Sequence, residues 1–249
     1  MSQDFYDKVA KKFGNYHTNS KYIKEFMNGS PEEIFKRKLL KVSSKNKVAL
    51  DVGCADGRFT LSMSPNFKRI IAIDTSDGML RAAERNKKAS NLKNVDFVKQ
   101  DVHKMTFPAN SFDVIYDRRG PTDFPLFYKV LKPGGFLLNI SIGEKDTAEL
   151  KKIFGRGQNF GEWNKSKLSE EKEQVEKAGF KMIYSEDFHY NEYYLSFKDL
   201  DVFLQGVPIF EDYDFKKDKK YLEEYVGKFK NAKGIDLPRH RYVIVAVKR

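Results

Sequence analysis

The sequence predicts an α/β protein built on a doubly wound, largely parallel sheet. Short apolar runs alternate with amphipathic stretches from residue 47 onward, and the first run ends in an acid and a glycine-containing turn that opens a helix. At 249 residues the chain suits one α/β core with an added lid. Its 40% hydrophobic and 33% charged residues supply a core beneath a heavily solvated surface.

Residues 1 to 45 read as a polar helical arm. Ser30 is placed to cap a helix there, with Pro31 in the first turn and Glu33 three residues past the cap. KVALDVG then reads as a strand followed by a helix from Asp56, and RIIAID (69 to 74) as a strand before a helix through MLRAAERNKK. VDFVKQD (95 to 101), FDVIYD (112 to 117) and, after KPGG, FLLNISI (136 to 142) continue the alternation. Five strands separated by helices imply parallel βαβ units with right-handed crossovers.

After residue 143 the rhythm changes. An amphipathic helix at about 167 to 178 is closed by Gly179, and the β-prone run FKMIYSEDFHYNEYYL follows. Helices are expected at 197 to 206 and 216 to 230, and the apolar strand RYVIVAVK closes the pattern. The expected division is an arm over 1 to 45 and a core over 46 to 249, with a helical insertion at about 196 to 238 acting as a lid.

Charges stand where a signal peptide needs an apolar stretch, and no window approaches the ~18 apolar residues of a membrane span. The expectation is a cytoplasmic protein without membrane attachment. One cysteine, Cys54, excludes an internal disulfide, and with His17, His103, His189 and His240 it forms no zinc-ligand spacing, so no metal site is expected. The formal charge of +11 suits a polyanion such as RNA. Against that, lysines interleaved with acids, as in EEIFKRKLLK and KLSEEKEQVEKAG, read as solvated helix faces.

The strongest chemical signal is VALDVGCADGRFT at 48 to 60. Gly53 and Gly57 permit torsions and a close approach that a Cβ would forbid, and the helix beyond offers unpaired N–H groups at its positive end. Asp74 ends the next strand 23 residues after Asp51, where a carboxylate can accept both hydroxyls of a ribose, and Asp101 ends the third, where it can accept an adenine amino proton. Any one of these acids could simply cap a turn. Three of them at successive strand ends, with the glycine loop, point to a nucleoside-bearing ligand.

These segments resemble the class I S-adenosylmethionine-dependent methyltransferase superfamily over roughly residues 40 to 145. DVGCADG is similar to its glycine-rich motif, AIDTSDGML to its second, KQDVHKMTFPANSFDVIYD to its third and fourth, and VLKPGG to its later signature. The resemblance implies a seven-stranded mixed sheet whose last strand, RYVIVAVK, runs antiparallel, and S-adenosyl-L-methionine as the cofactor, released as S-adenosyl-L-homocysteine. It places Asp51 and the loop of Gly53, Cys54, Ala55 and Gly57 at the methionine part, Asp74 with Thr75 at the ribose, and Met79 on the adenine face. Asp101 and the Val102 N–H fall at the adenine edge, and Asp117 joins the donor-binding set. Ala55 stands where many relatives have a second glycine. A dinucleotide-binding enzyme fits worse, because GCADG lacks the G-x-G-x-x-G spacing that receives a pyrophosphate.

No N/D-P-P-Y signature ends the fourth strand, which argues against the familiar nucleic-acid and protein amide N-methyltransferases. In its place stands YDRRGPTDF. Arg118 and Arg119 either clamp an anionic acceptor or pair with Asp113, Asp117 or Asp123. Tyr6 and Tyr16 of the arm are expected as substrate-covering lid residues. The aromatics of 184 to 194 read mostly as core, while His17 and His189 are candidate bases or structural histidines. Trp163 is expected in a loop near the site. The leading function is methyl transfer to a small, anionic molecule. An RNA methyltransferase and a non-catalytic donor-binding protein are the alternatives, and nothing speaks to oligomeric state.

Overall fold

The computed structural model describes residues 3–249. Its sheet is assembled from the βαβ units that the alternation implies. The arm carries α1 (Gln3–Phe13), β1 (Tyr22–Phe26) and α2 (Pro31–Val42). Then come β2 (Val48–Val52), α3 (Arg58–Met63), β3 (Arg69–Asp74), α4 (Asp77–Ser90), β4 (Val95–Lys99), β5 (Phe112–Arg118), α5 (Phe124–Val130) and β6 (Leu131–Ile142). The later half adds α6 (Ala148–Phe154), α7 (Lys167–Lys177), β7 (Phe180–Tyr194), α8 (Phe197–Gly206), α9 (Phe215–Phe229), β8 (Lys230–Asn231) and β9 (Gly234–Lys248).

The strands lie in the order β4-β3-β2-β5-β6-β9-β7-β1, with β8 paired to β9. β2 through β6 are parallel, and β9 runs antiparallel to both β6 and β7. The chain reverses its direction of travel across the sheet between β2 and β5, and the crevice beyond the carboxyl ends at such a point is where open α/β sheets bind ligands.

Two of the nine strands lie beyond the seven expected. The arm is not wholly helical: β1 pairs antiparallel with β7, Tyr22 opposite Tyr194 and Phe26 opposite Tyr190. The last strand begins at Gly234 rather than 241, so it takes seven residues assigned to the lid or to the turn after it, and β8 folds back on it. The strand expected at 136 to 142 begins at Leu131 as β6, and α6 has no counterpart among the expected helices, whereas the start of α2 is as expected. Ser30 Oγ accepts the Glu33 N–H at the start of α2, with Pro31 in the first turn.

Alternation along the strands sorts side chains to two faces. Leu50, Val52, Ile115, Tyr242 and Ile244 pack under α5 and α7 with Phe127 and Val175. Ala49, Val114, Tyr116, Val243 and Val245 pack under α2 and α3 with Phe35, Leu39 and Leu61. A third cluster joins α6, α8 and α9 to Tyr194 and Leu237. α1 docks by Phe5, Val9 and Ala10 on Met79 of α4. Full burial of a Phe or Val contributes about 1.5–3 kcal/mol, so a few side chains hold the arm over the sheet edge. Asp7 helps: its Oδ1 accepts from Ser76 Oγ at 2.6 Å and from the Gly78 N–H at 2.8 Å.

Candidate functional site

The loop after β2 is shaped by left-handed torsions at Gly53 (φ 69°), Ala55 (47°) and Gly57 (70°). The Gly53 and Cys54 N–H groups donate to the Ile73 carbonyl at 2.9 and 3.0 Å, tying the loop to the end of β3. The Asp74 carboxylate fixes both turns: Oδ2 accepts the Ala55 N–H at 2.8 Å and Oδ1 the Ser76 N–H at 2.9 Å. Burial pushes the Asp74 carboxyl up, with the Ser76 and Ala55 hydrogen bonds acting against it. Beside this carboxylate lies a cavity of about 150 Å³ bounded by Gly53, Ala55, Asp74, Thr75, Gln100 and Val102 on one side. Tyr6, Tyr16, Arg118 and Arg119 bound it on the other. A Cβ on Gly53 would meet Gly120 Cα at 3.4 Å in a torsion that side chains rarely adopt, and Gln100 Oε1 is buried without a hydrogen-bond partner. A cradle without side chains and an orphaned acceptor suit a polar nucleoside ligand.

A second cavity of about 230 Å³ adjoins the first and shares Tyr6, Tyr16 and Arg119 with it. Its walls come from the arm, the ends of β1, β6, β7 and β9, and the segment Phe203 to Ile209 that ends α8 and follows it. The segment read as an inserted lid thus contributes to the wall of this cavity. Glu32 of α2 bridges Arg118 (2.9 Å) and Arg119. The two guanidinium groups hold its carboxyl well below the usual range against the opposing effect of burial. The arginines thus pair with Glu32 and with none of the three aspartates expected. Asp113 instead binds Lys132 and the Val48 N–H, Asp117 accepts the Gly120 N–H, and Asp123 caps α5. Arg118 also stacks on Phe59, 4.0 Å from the ring centroid, while Arg119 sits at φ 65° with its N–H on the Ile140 carbonyl.

On the far wall Asp146 receives Arg239 at 2.9 Å and Arg241 at 2.5 Å, and Arg239 also reaches Glu192. Burial opposes the charge on Asp146, but the two guanidinium groups hold its carboxyl well below the usual range. Lys151, next to Asp146, is pushed down to about 8 by burial.

Of the expected donor residues, Gly53, Ala55, Asp74, Thr75 and Val102 line the first cavity and six do not. Asp51 is buried behind the loop, where it accepts Thr60 Oγ1 at 2.6 Å and is pushed up to about 7 by that burial. Cys54 is buried. Gly57 faces the Phe97 ring and Ala83, so its lack of a Cβ serves packing. Met79 is covered by α1. Asp101 accepts the His103 N–H at 3.0 Å as the cap of a short 3₁₀ turn, leaving Gln100 and Val102 at the cavity. Asp117 is fully buried, and burial pushes its carboxyl well up.

Tyr6 and Tyr16 meet at a centroid distance of 5.7 Å on the shared wall, and the Tyr16 N–H is held by Asp56 Oδ2 at 3.0 Å. His17 is exposed and lines the second cavity. His189 stacks at 4.0 Å on buried His240 and, with Trp163, lines a third groove of about 550 Å³ that meets the second cavity at Tyr190 and Arg239. Neither touches the two adjoining cavities. Sequence reasoning missed Glu32, Gln100, Arg239 and Arg241. Two arginines at alternate positions of an apolar strand were the available signal for the last pair.

Glu171 of α7 is buried between Asn139 Nδ2 (2.5 Å) and the Tyr242 hydroxyl (2.7 Å), and that burial pushes it from 4.5 to about 7. Between those values the folded chain keeps a proton that the unfolded chain has released, so stability falls as pH rises through the window and is level above it. Glu171→Gln needs no proton. It is expected to flatten the pH 4.5–7 slope, gaining about 1–3 kcal/mol over the parent at pH 8 relative to pH 4. Urea unfolding at several pH values measures this, and an unaltered slope would assign it to the other buried carboxyls, Asp51, Asp74 and Asp117, instead.

Among the described residues no helix is long and apolar enough to cross a membrane, and no group of three His, Cys, Asp or Glu side chains is arranged to hold a metal.

Residues 49–135 match the family model described as a methyltransferase domain. The chain is 28% identical over 127 residues to a demethylmenaquinone methyltransferase of Listeria welshimeri, covering 47% of this chain and 53% of that protein. It is 41% identical over 98 residues to phosphoethanolamine N-methyltransferase 3 of Arabidopsis thaliana, covering 36% and 20%. The chain thus spans about half the length of the first relative and a fifth of the second. Among solved structures, a functionally unknown protein of Deinococcus radiodurans superposes with a TM-score of 0.64 at 17% identity, covering 99% of this chain and 100% of that one, a likeness of fold that extends to the arm and the lid helices. The strand order, the glycine loop with Asp74 at the next strand end, and the methyltransferase domain matched over residues 49–135 agree, and together they support a class I S-adenosylmethionine-dependent methyltransferase.

Proposed function

We propose that the protein transfers a methyl group from S-adenosylmethionine to a small anionic molecule, with the donor in the cavity beside Asp74 and the acceptor in the adjoining one. The observation that carries this is the shared wall: Tyr6, Tyr16 and Arg119 face both cavities. Two ligands seated on either side would meet there. The donor supplies a methyl group on an already activated sulfonium sulfur. The acceptor's lone pair forms the new bond to the methyl carbon while the carbon–sulfur bond breaks and sulfur takes the electron pair. What remains for the chain is alignment and exclusion of water.

Gly53 and Ala55 would let the donor lie on backbone, Asp74 would receive the ribose hydroxyls, and the Val102 N–H would meet the adenine edge. Asp51 would act indirectly, by holding Thr60 and so the start of α3. Tyr6 and Tyr16 would shield the reaction from water, and Arg119 would hold the acceptor. The names of the two relatives describe small-molecule acceptors, which supports that class. Net charge alone supports an RNA acceptor, and several of its lysines are paired one helical turn from acids, as Lys177–Glu173 and Lys228–Glu224 are.

The test is incubation with methyl-labelled S-adenosylmethionine and an extract of cells lacking the gene, then fractionation. Label in small molecules is expected, whereas RNase-sensitive label in large material would overturn the acceptor class. Asp74→Ala is expected to weaken S-adenosylhomocysteine binding by about 10- to 100-fold, the range for a hydrogen bond to a charged group. Calorimetry that found parent-like affinity would remove Asp74 from the donor site.

A further inference from the structure

We propose that the second cavity takes a doubly charged phosphate monoester terminus of the acceptor, gripped between Arg241 and Arg119. This deepens the acceptor reading above and rests on it. Lys24, Arg119, Arg239 and Arg241 line the cavity, facing Glu32, Asp146 and Glu192, and Arg118 shares Glu32 from next door. Along the cavity wall itself four cations therefore meet three carboxylates, and Lys151 lies beside Asp146. Each carboxylate is already divided: Glu32 between Arg118 and Arg119, Asp146 between Arg239 and Arg241, Glu192 between Arg239 and Lys24. Cations outnumber carboxylates on this wall, and Arg239 and Arg241 are buried, which is costly unless a ligand adds counter-charge.

The donors point the same way. Arg241 is only 4% exposed, and its NH1 is taken by Asp146 at 2.5 Å and the His240 carbonyl at 2.7 Å. Its Nε is buried with no hydrogen-bond partner. A guanidinium with a free Nε edge is one half of the fork that receives an oxyanion. Arg118 Nε is likewise buried and unmet. Tyr16 lies in the field of both Arg119 and Arg241, and Tyr190, which also lines the cavity, in that of Arg241 and Arg239. The clamp therefore comes with phenol groups beside it. A carboxylate would bring one charge and two acceptor oxygens. A phosphate monoester brings nearly two near pH 7 and three acceptor oxygens, which suits an excess of cations and two arginine donor edges better.

Calorimetric titration of inorganic phosphate into the full chain, with and without S-adenosylhomocysteine, tests this at pH 7.5 and constant ionic strength, with acetate as the singly charged comparison. Saturable phosphate binding at least tenfold tighter than acetate is expected. Arg241→Lys keeps a charge for Asp146 but loses the fork. It should weaken phosphate at least tenfold and leave S-adenosylhomocysteine affinity within twofold. Phosphate binding no tighter than acetate in the parent protein overturns the proposal whatever the variants do. So does phosphate affinity untouched by both Arg241→Lys and Arg119→Lys. Phosphate binding without any S-adenosylhomocysteine binding would keep the anion subsite and sink the methyl-transfer reading, so the two failures are told apart.

Discussion

Arg239→Met is expected to destabilise the fold by about 3–5 kcal/mol, the cost of stranding buried charge when one partner of an ion pair is removed. Arg239 is buried, and so are both carboxylates it serves, Asp146 and Glu192. Methionine fills similar volume beside Phe203 but donates nothing. Glu192 would be left with the Tyr194 hydroxyl at 3.0 Å and Lys24 at 3.7 Å, and Asp146 with Arg241 and the His240 N–H at 3.0 Å. The same network ties β9 to β7 and to the segment before α6, so the loss should be global. Urea unfolding with an unchanged slope and a lowered midpoint is the expected record. A loss below 1 kcal/mol would mean that water already screens the network.

Gly57→Val should cost a comparable amount, about 2–5 kcal/mol, from two separable causes. The first is backbone: φ is 70°, and a β-branched residue held there carries on the order of 1–3 kcal/mol of strain. The second is space, since a Cβ at Gly57 would lie 2.4 Å from Phe97 Cζ and 3.0 Å from Ala83 Cβ, and overpacking adds about 1–3 kcal/mol. Pairing Gly57→Ala with Phe97→Leu separates them, because the shorter side chain should recover only the steric part. Full recovery by Phe97→Leu would show that the torsion is not strained.

Much of the core and part of the site were legible in the sequence because their signals are local. The runs that became β2, β3 and β5 end within a residue of where they were read, the caps of α2 and α7 are short-range hydrogen bonds, and Asp74 stands where the glycine loop needs a carboxylate. Features made by long-range partners were not. YIKEF is a strand only because β7 offers it an edge some 170 residues later. The pairing of Arg118 and Arg119 with Glu32 spans 86 and 87 residues, so nearer aspartates looked more eligible. Asp101 and Gln100 are adjacent, and only the backbone direction after β4 decides which side chain meets the cavity. Arg239 and Arg241 were obscured by their company, because charges at the start of an apolar strand read as its solvated end.

The most direct test of the two-cavity arrangement is an experimental structure of the protein with S-adenosylhomocysteine. The account predicts the ribose on Asp74, the adenine between Gln100 and Val102, and the sulfur directed at the wall formed by Tyr6, Tyr16 and Arg119. Sulfur directed away from that wall, or the ligand bound outside the cavity beside Asp74, would contradict it.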